Sequence, residues 1–134
     1  GMTGLSYPFN RKTYPWGCED TEMLEFYRLL GHIRNTNPVL LRGEACFLPI
    51  NADVFVVYRK HEDSSAITIV NRSNAKVRFE LRPCDFIEGN LAPQVEFSAC
   101  YTDLLNDNTE HKAEGGSLSI EIDAMTACML LSKQ

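Results

Sequence analysis

At Asn37-Pro38 the spacing of apolar residues changes from a helical period to a strand period, and no other feature constrains the fold as strongly. Residues 20–36 repeat at the 3.6-residue period. From there on, short alternating runs follow one another almost to the last residue. A chain patterned in this way puts one helix ahead of a β-domain.

The helix has clear local signals. Asp20 stands at the N-cap position, and Glu22 and Glu25 in the first turns complement the helix dipole. Asn37-Pro38 is a stop signal, because the residue before a proline is pushed out of the helical region. At 100° per residue, Met23, Leu24, Phe26, Tyr27, Leu29, Leu30 and Ile33 share one arc, interrupted by Gly31 and Arg34. That arc covers more than half the circumference, whereas a helix lying on one surface needs a stripe of roughly 100° or a little more. The helix is patterned to touch two surfaces.

Beyond Pro38 the sequence predicts strands at Glu44–Leu48, Asp53–Arg59, Ala66–Asn71, Lys76–Arg82, Val95–Tyr101, around Leu118, Ile120 and Ile122, and at Ala127–Leu131. Pro49-Ile50-Asn51-Ala52 and the Gly115-Gly116 pair read as turns, and His61–Ser65 as a polar loop. About seven short strands with polar turns predict a mainly β fold, an antiparallel Greek-key β-sandwich preceded by one long amphipathic helix. Phe55, Tyr58, Phe79, Phe97 and Tyr101 fall at strand positions expected to face the core.

Composition closes off several function classes. A net charge of −5 argues against a nucleic-acid partner, since phosphate binding needs a basic surface. No apolar run is long enough to span a bilayer, so no membrane partner is expected. Gly1 ahead of Met2 reads as a cloning remnant before the encoded start. The five cysteines are scattered without a CxxC pair. They read as mostly buried small hydrophobes in a reducing compartment, the cytoplasm. Asn71-Arg72-Ser73 matches a glycosylation acceptor, a pattern that matters only in a secreted protein and is set aside.

Catalytic constellations are missing from the sequence. There is no GxSxG, P-loop, HExxH or dinucleotide glycine fingerprint. His32, His61 and His111 lack metal-ligand spacing, so neither a metal nor a cofactor is expected. Glu110-His111-Lys112 and Glu114-Gly115-Gly116 read as a polar connection. The opening loop differs: Tyr7, Arg11, Lys12, Tyr14 and Trp16 combine aromatic faces with a bidentate donor, groups that suit sugar rings and paired hydroxyls. The other reading of Tyr14-Pro15-Trp16 is a packing plug against the neighbouring helix.

The run PFNRKTYPWGCEDTEMLEFYRLLGHIRNTNPVLLRGE resembles the end of the catalytic barrel in α-amylase-family glycosidases (glycoside hydrolase family 13), above all the cyclomaltodextrinase, neopullulanase and maltogenic amylase group. DVFVVYRK, AITIVNRS, KVRFEL, TDLLND, GGSLSIEI and AMTACMLL resemble strands and closing elements of the β-sandwich C-domain that follows that barrel. The resemblance implies a boundary near residue 41. Residues 1–41 would be a barrel-derived loop and last helix, and 42–134 the C-terminal sandwich.

The full-length relatives are retaining α-glycosidases that work with a pair of carboxylates. Their nucleophile, acid/base and stabilising aspartate lie on earlier barrel strands, and none maps onto this truncated barrel. The resemblance therefore implies a non-catalytic section that packs on and stabilises a barrel. Arg11 matches the family arginine that binds a glucose unit, while Tyr7 stands where the family usually has its aspartate partner. An α-glucan or maltooligosaccharide is accordingly expected to bind weakly or not at all. A free-standing carbohydrate-binding module and a protein-interaction module are the alternatives. For the latter, Met23, Phe26, Tyr27, Leu30 and Ile33 form the interaction face, covered by a homodimer or another partner.

Overall fold

The computed structural model describes residues 6, 7, 10, 13, 14, 16–86 and 94–132. The chain divides into two compact units, Gly1–Thr36 and Asn37–Gln134.

The first unit carries α1 (Thr21–Thr36). The expected cap is in place: the Met23 amide donates to Asp20 Oδ1 at 3.0 Å, and the Leu24 amide to the Asp20 carbonyl at 3.0 Å. An Arg28–Glu25 ion pair braces the second turn at 2.5 Å. At the far end the Thr36 hydroxyl donates back to the His32 carbonyl at 2.8 Å, satisfying one of the carbonyls that a helix end leaves open.

The second unit begins with a departure from the sequence expectation. Pro38 does not lead directly into strands but starts a second helix, α2 (Pro38–Arg42). A proline that ends one helix is well suited to begin the next, because its fixed φ fits the first helical position and its missing N–H is not needed there. Leu40 N–H donates to the Asn37 carbonyl at 3.0 Å, and Gly43 N–H to the Val39 carbonyl at 3.1 Å. α2 lies against the second and third strands, burying Val39 and Leu40. Gly43 is fixed by proximity: a Cβ there would sit 2.3 Å from the Val39 carbonyl oxygen and 3.1 Å from that of Lys60.

Eight strands follow among the described residues: β1 (Glu44–Pro49), β2 (Val54–His61), β3 (Ser64–Asn71), β4 (Val77–Leu81), β5 (Cys100–Asp103), β6 (Glu110–Lys112), β7 (Leu118–Ile122) and β8 (Thr126–Ser132). They form a six-stranded antiparallel sheet in the order β1-β2-β3-β8-β5-β6 and a two-stranded sheet of β4 and β7. β8 returns from the end of the chain to lie between β3 and β5, so the meander is interrupted in the Greek-key manner.

Three expectations need correction. His61–Ser65 reads as a polar loop, yet His61 ends β2, Ser64 and Ser65 open β3, and only Glu62 and Asp63 remain in the turn. The alternation from Val95 onward predicts a strand through Tyr101, yet only Cys100 and Tyr101 of that stretch enter β5. Val95 is buried and Phe97 packs on the core without joining a ladder; the Tyr58 hydroxyl holds this segment by donating to the Glu96 carbonyl at 2.9 Å. Conversely, Glu110–Lys112 reads as a polar connection but forms β6, pairing with β5 through Tyr101 opposite His111. A three-residue edge strand has no hydrophobic alternation to announce it.

The core lies between the two sheets. Tyr58, Ile67, Ile69, Tyr101 and Leu130 come from the large sheet and Leu81, Leu118 and Ile120 from the small one, each fully buried. Each such aliphatic side chain contributes roughly 1.5–3 kcal/mol on leaving water. Phe86 closes the gap, edge-on to Phe97 at 6.4 Å and 5.8 Å from Tyr58. Phe79 and Phe97 are partly buried against this core as expected, but Phe55 is not: it is 43% exposed. Strand parity explains this, since Val54 and Val56 point inward and the residue between them must point out. The cysteines also depart from expectation: Cys46 and Cys128 are buried, whereas Cys18 and Cys84 are exposed and Cys100 is intermediate.

Candidate functional site

The aromatic residues singled out in the opening loop lie in the first unit. Arg11 and Lys12 fall outside the described residues. Tyr7 is exposed. Tyr14 and Trp16 are brought together, their ring centroids 4.7 Å apart in an edge-on arrangement. The Trp16 amide donates to the Tyr14 carbonyl at 2.9 Å, and Gly17 follows at a positive φ of 77°, turning the chain toward the helix. Trp16 remains 81% exposed, so the packing it makes is with Tyr14 and leaves an indole face open. A pair of this kind can offer an apolar platform to a flat ligand face.

On α1 the predicted interaction face keeps most of its apolar surface in solvent. Met23, Phe26 and Tyr27 are exposed, as is Leu29; Leu24 and Leu30 are half-buried and Ile33 is buried. The helix thus presents large side chains that a small domain would ordinarily cover.

The sandwich has a second set of polar groups, at the end where β2 turns into β3. His61 and Ser64 pair across the turn, and Glu62 at its tip adopts a positive φ of 52°. One cavity of about 430 Å³ lies between this tip and α2, bounded by Val39, His61, Glu62 and Leu131. Another of about 240 Å³ is bounded by Lys60, Asp63, Ser65, Glu96 and Ser98. Behind the second, the Ser98 amide donates to the Tyr101 hydroxyl at 3.1 Å, and the Tyr101 and Ser65 hydroxyls share a bond of 2.9 Å. The Ser65 amide donates to Ser132 Oγ at 2.9 Å, extending the β3–β8 ladder through a side chain. Burial, and secondarily the neighbouring Tyr101, raise the Tyr58 pKa above its ordinary value. These hydroxyls are neutral and mutually satisfied, which suits a structural clasp.

Charge elsewhere is equally well accounted for. Asp103, buried, accepts from the Leu105 and Met129 amides at 3.0 Å each and from Asn106 Nδ2 at 2.7 Å, so it fastens a turn to β8. Burial, helped by the charge of Asp103, pushes the Cys128 thiol up to about 12 and keeps it protonated. Glu121 on β7 accepts from Arg78 Nε at 2.9 Å and from Lys76 Nζ at 3.0 Å, and these bonds hold its carboxyl down to about 2. Among the described residues, no group of three His, Cys, Asp or Glu side chains is placed to hold a metal ion. No described helix is long and apolar enough to cross a membrane.

Sequence reasoning missed the roles of Asp103 and Asn71. Asn71 Nδ2 donates to the carbonyls of Ala75 and Asp123 at 2.9 and 2.8 Å, while its Oδ1 accepts from the Ser73 amide and hydroxyl. The signal available was a polar residue closing an apolar strand, which reads equally well as a solvated end.

No protein-family model matches the chain. Curated relatives do. The amylopullulanase of Thermoanaerobacterium saccharolyticum is 32% identical over 143 aligned positions, taking in 98% of this chain and 11% of that enzyme. Among solved structures, the α-amylase of Geobacillus thermoleovorans, determined with acarbose, superposes with a TM-score of 0.80 at 18% identity, over 99% of this chain and 27% of that one. An Anoxybacillus α-amylase gives 0.78 at 21% identity with the same coverage. At these identities the structural likeness speaks for the fold alone. The chain spans about a tenth of the length of the amylopullulanase it matches. Taken with the helix and Greek-key sandwich described above, these relationships make the chain a section of an α-amylase-family (glycoside hydrolase family 13) protein, with that family's C-terminal type of β-sandwich.

Proposed function

We propose that this chain is a non-catalytic structural section whose role is to pack on and stabilise the catalytic barrel of an α-glucan-acting enzyme. The observation that carries this reading is the contrast within the chain: the sandwich closes its own core, while α1 holds Met23, Phe26, Tyr27 and Leu29 in solvent. A helix with that much exposed apolar surface calls for a further partner. The family relationship supplies a candidate of the right kind, and the amylopullulanase likeness points to an α-glucan as the substrate of the assembled protein.

The test is an assay of the purified chain on maltooligosaccharides and cyclodextrins. No release of reducing sugar is expected. Turnover that disappears when one of the chain's own carboxylates is substituted would overturn the reading.

The exposed Tyr14–Trp16 pair supports a second reading, in which the opening loop contacts a maltooligosaccharide. Titration with maltooligosaccharides should then perturb Trp16 fluorescence, and a flat trace to millimolar sugar removes the idea. The same α1 face also supports self-association; light scattering at increasing concentration should report a dimer, and a clean monomer counts against it. Free thiols at all five cysteines support a reducing compartment, the cytoplasm.

A further inference from the structure

A β-sheet ends in strands whose outer amides and carbonyls have no ladder to join, and such an edge invites pairing with another chain unless something discourages it. β4, β6 and β7 carry the discouraging features. β6 is only three residues long, with Glu110 and Lys112 exposed at its ends. β4 carries Arg78 and Glu80, and β7 carries Glu121. β1, at the other end of the large sheet, is six residues long and reads Glu-Ala-Cys-Phe-Leu-Pro. Its charge and its proline stand at the two ends and leave Ala45–Leu48 without either, and Phe47 is 61% exposed.

The register determines which backbone groups lie open. The Ile50 amide donates to the Val54 carbonyl at 2.9 Å. In an antiparallel ladder the bonded pairs recur every second residue, so Leu48–Val56, Cys46–Tyr58 and Glu44–Lys60 exchange bonds with β2. Ala45, Phe47 and Pro49 alternate with them and turn their backbone groups the other way. Among the described residues nothing bonds to the amide or carbonyl of Ala45 or Phe47. Each of the two therefore holds out an N–H and a C=O, while Pro49 offers a carbonyl alone.

We propose that β1 is a self-association edge, on which a second copy of this chain pairs its own β1 antiparallel and continues the large sheet across a two-fold axis. This inference goes beyond the structural role proposed above and does not depend on it. The edge's own pattern selects the occupant. With Cys46 on the axis, Ala45 of each copy stands opposite Phe47 of the other, and each such pair exchanges both N–H···O bonds. The open groups of both residues are then used. The register that sets Phe47 opposite Phe47 puts Ala45 opposite Pro49, whose missing N–H leaves the Ala45 carbonyl unmet. In the better register Glu44 falls opposite Leu48, so no like charges meet. The two Phe47 rings occupy diagonal positions on one face, a spacing that aromatic side chains can span. The edge is complementary to itself in donors, acceptors, charge and apolar contact.

The test is sedimentation equilibrium of the full chain over a concentration series. Phe47→Pro removes the open N–H and spares the bonds to β2. Phe47→Lys keeps the backbone and sets like charges on the diagonal, and Phe26→Lys alters the exposed face of α1 instead. The unaltered chain should form a dimer, weakened about tenfold or more by Phe47→Pro, which deletes two hydrogen bonds per dimer. Phe47→Lys should weaken it about fivefold or more, and Phe26→Lys should stay within about twofold. Urea midpoints at the lowest concentration separate a lost contact from a failed fold; should Phe47→Pro not fold, Phe47→Lys at its exposed position carries the test. Hydrogen exchange reads the edge directly. The Ala45 and Phe47 amides should slow as concentration rises, and those of Glu110 and Lys112, at the far edge, should not. A monomer at every concentration overturns the proposal. So does a dimer that Phe47→Pro leaves within about twofold, or one without slower exchange at Ala45 and Phe47, which if abolished by Phe26→Lys belongs to α1.

Discussion

Of α1 and α2, the longer is the less buried. α1 runs sixteen residues and buries Ile33, whereas α2 runs five and buries both Val39 and Leu40. α1 is written in local signals: a capping aspartate, acidic first turns, an ion pair one turn apart and a terminal threonine bond. α2 is far too short to persist in water alone, where helices below about 12–15 residues are marginal. Its stability comes from the strands beneath it and the glycine that lets it sit close. One helix is specified by its own sequence and keeps apolar surface free, while the other exists because of what it touches.

That contrast can be broken most severely at Gly43. Gly43→Val drives a side chain into the Val39 and Lys60 carbonyls, both backbone atoms that cannot swing away. It should destabilise the sandwich by about 3 kcal/mol or more, read as a fall in the urea midpoint. A paired substitution sharpens the comparison. Leu40→Ala should cost about 2–4 kcal/mol, while Leu29→Ala on the exposed side of α1 should stay within about 0.5 kcal/mol; equal costs would show that α1 is covered as thoroughly as α2. Asp20→Ala removes the local signal itself. It should cost about 1 kcal/mol of helix stability, visible as weaker helical circular dichroism and faster exchange of the Met23 amide, with the urea midpoint of the sandwich unmoved.

The smallest effect concerns the charged sheet. The Glu121 carboxyl is held at about 2 against an ordinary 4.5 by Arg78 and Lys76, so its contribution is complete above pH 4.5 and fades as pH falls towards 2. Glu121→Gln should flatten that part of the acid unfolding curve and leave the alkaline side unchanged.

The legible parts of the fold were those with a period or a cap. Asp20, the α1 boundaries and the β2–β3 hairpin all follow from residue order, as does the alternation of Val77, Phe79 and Leu81. What escaped depends on partners distant in sequence. β6 forms because Cys100–Thr102 offers an edge, and Val95 and Phe97 alternate without pairing because they cap the core. Phe55 was placed inside by its residue type, when the parity of its neighbours puts it outside. Of the proposed contact residues, Tyr14, Trp16 and the α1 arc can be read from the sequence, as aromatic faces and as an apolar arc wider than one surface needs. The open edge of β1 could be recognised only once the register was known, since its pairing with β2 decides which amides turn away.

Asn71 also sets an order of events. Its amide nitrogen is the atom to which a glycan would be attached in an Asn-x-Ser triplet, yet in the folded sandwich that atom donates to Ala75 and Asp123 and the residue is 1% exposed. A sugar could reach it only before β3 and β7 close around it, and a chain so modified would lose the bonds that tie the end of β3 to the turn after β7. Passage through a glycosylating compartment would thus become a race between modification and folding, with closure of the sandwich protecting the site and modification preventing closure.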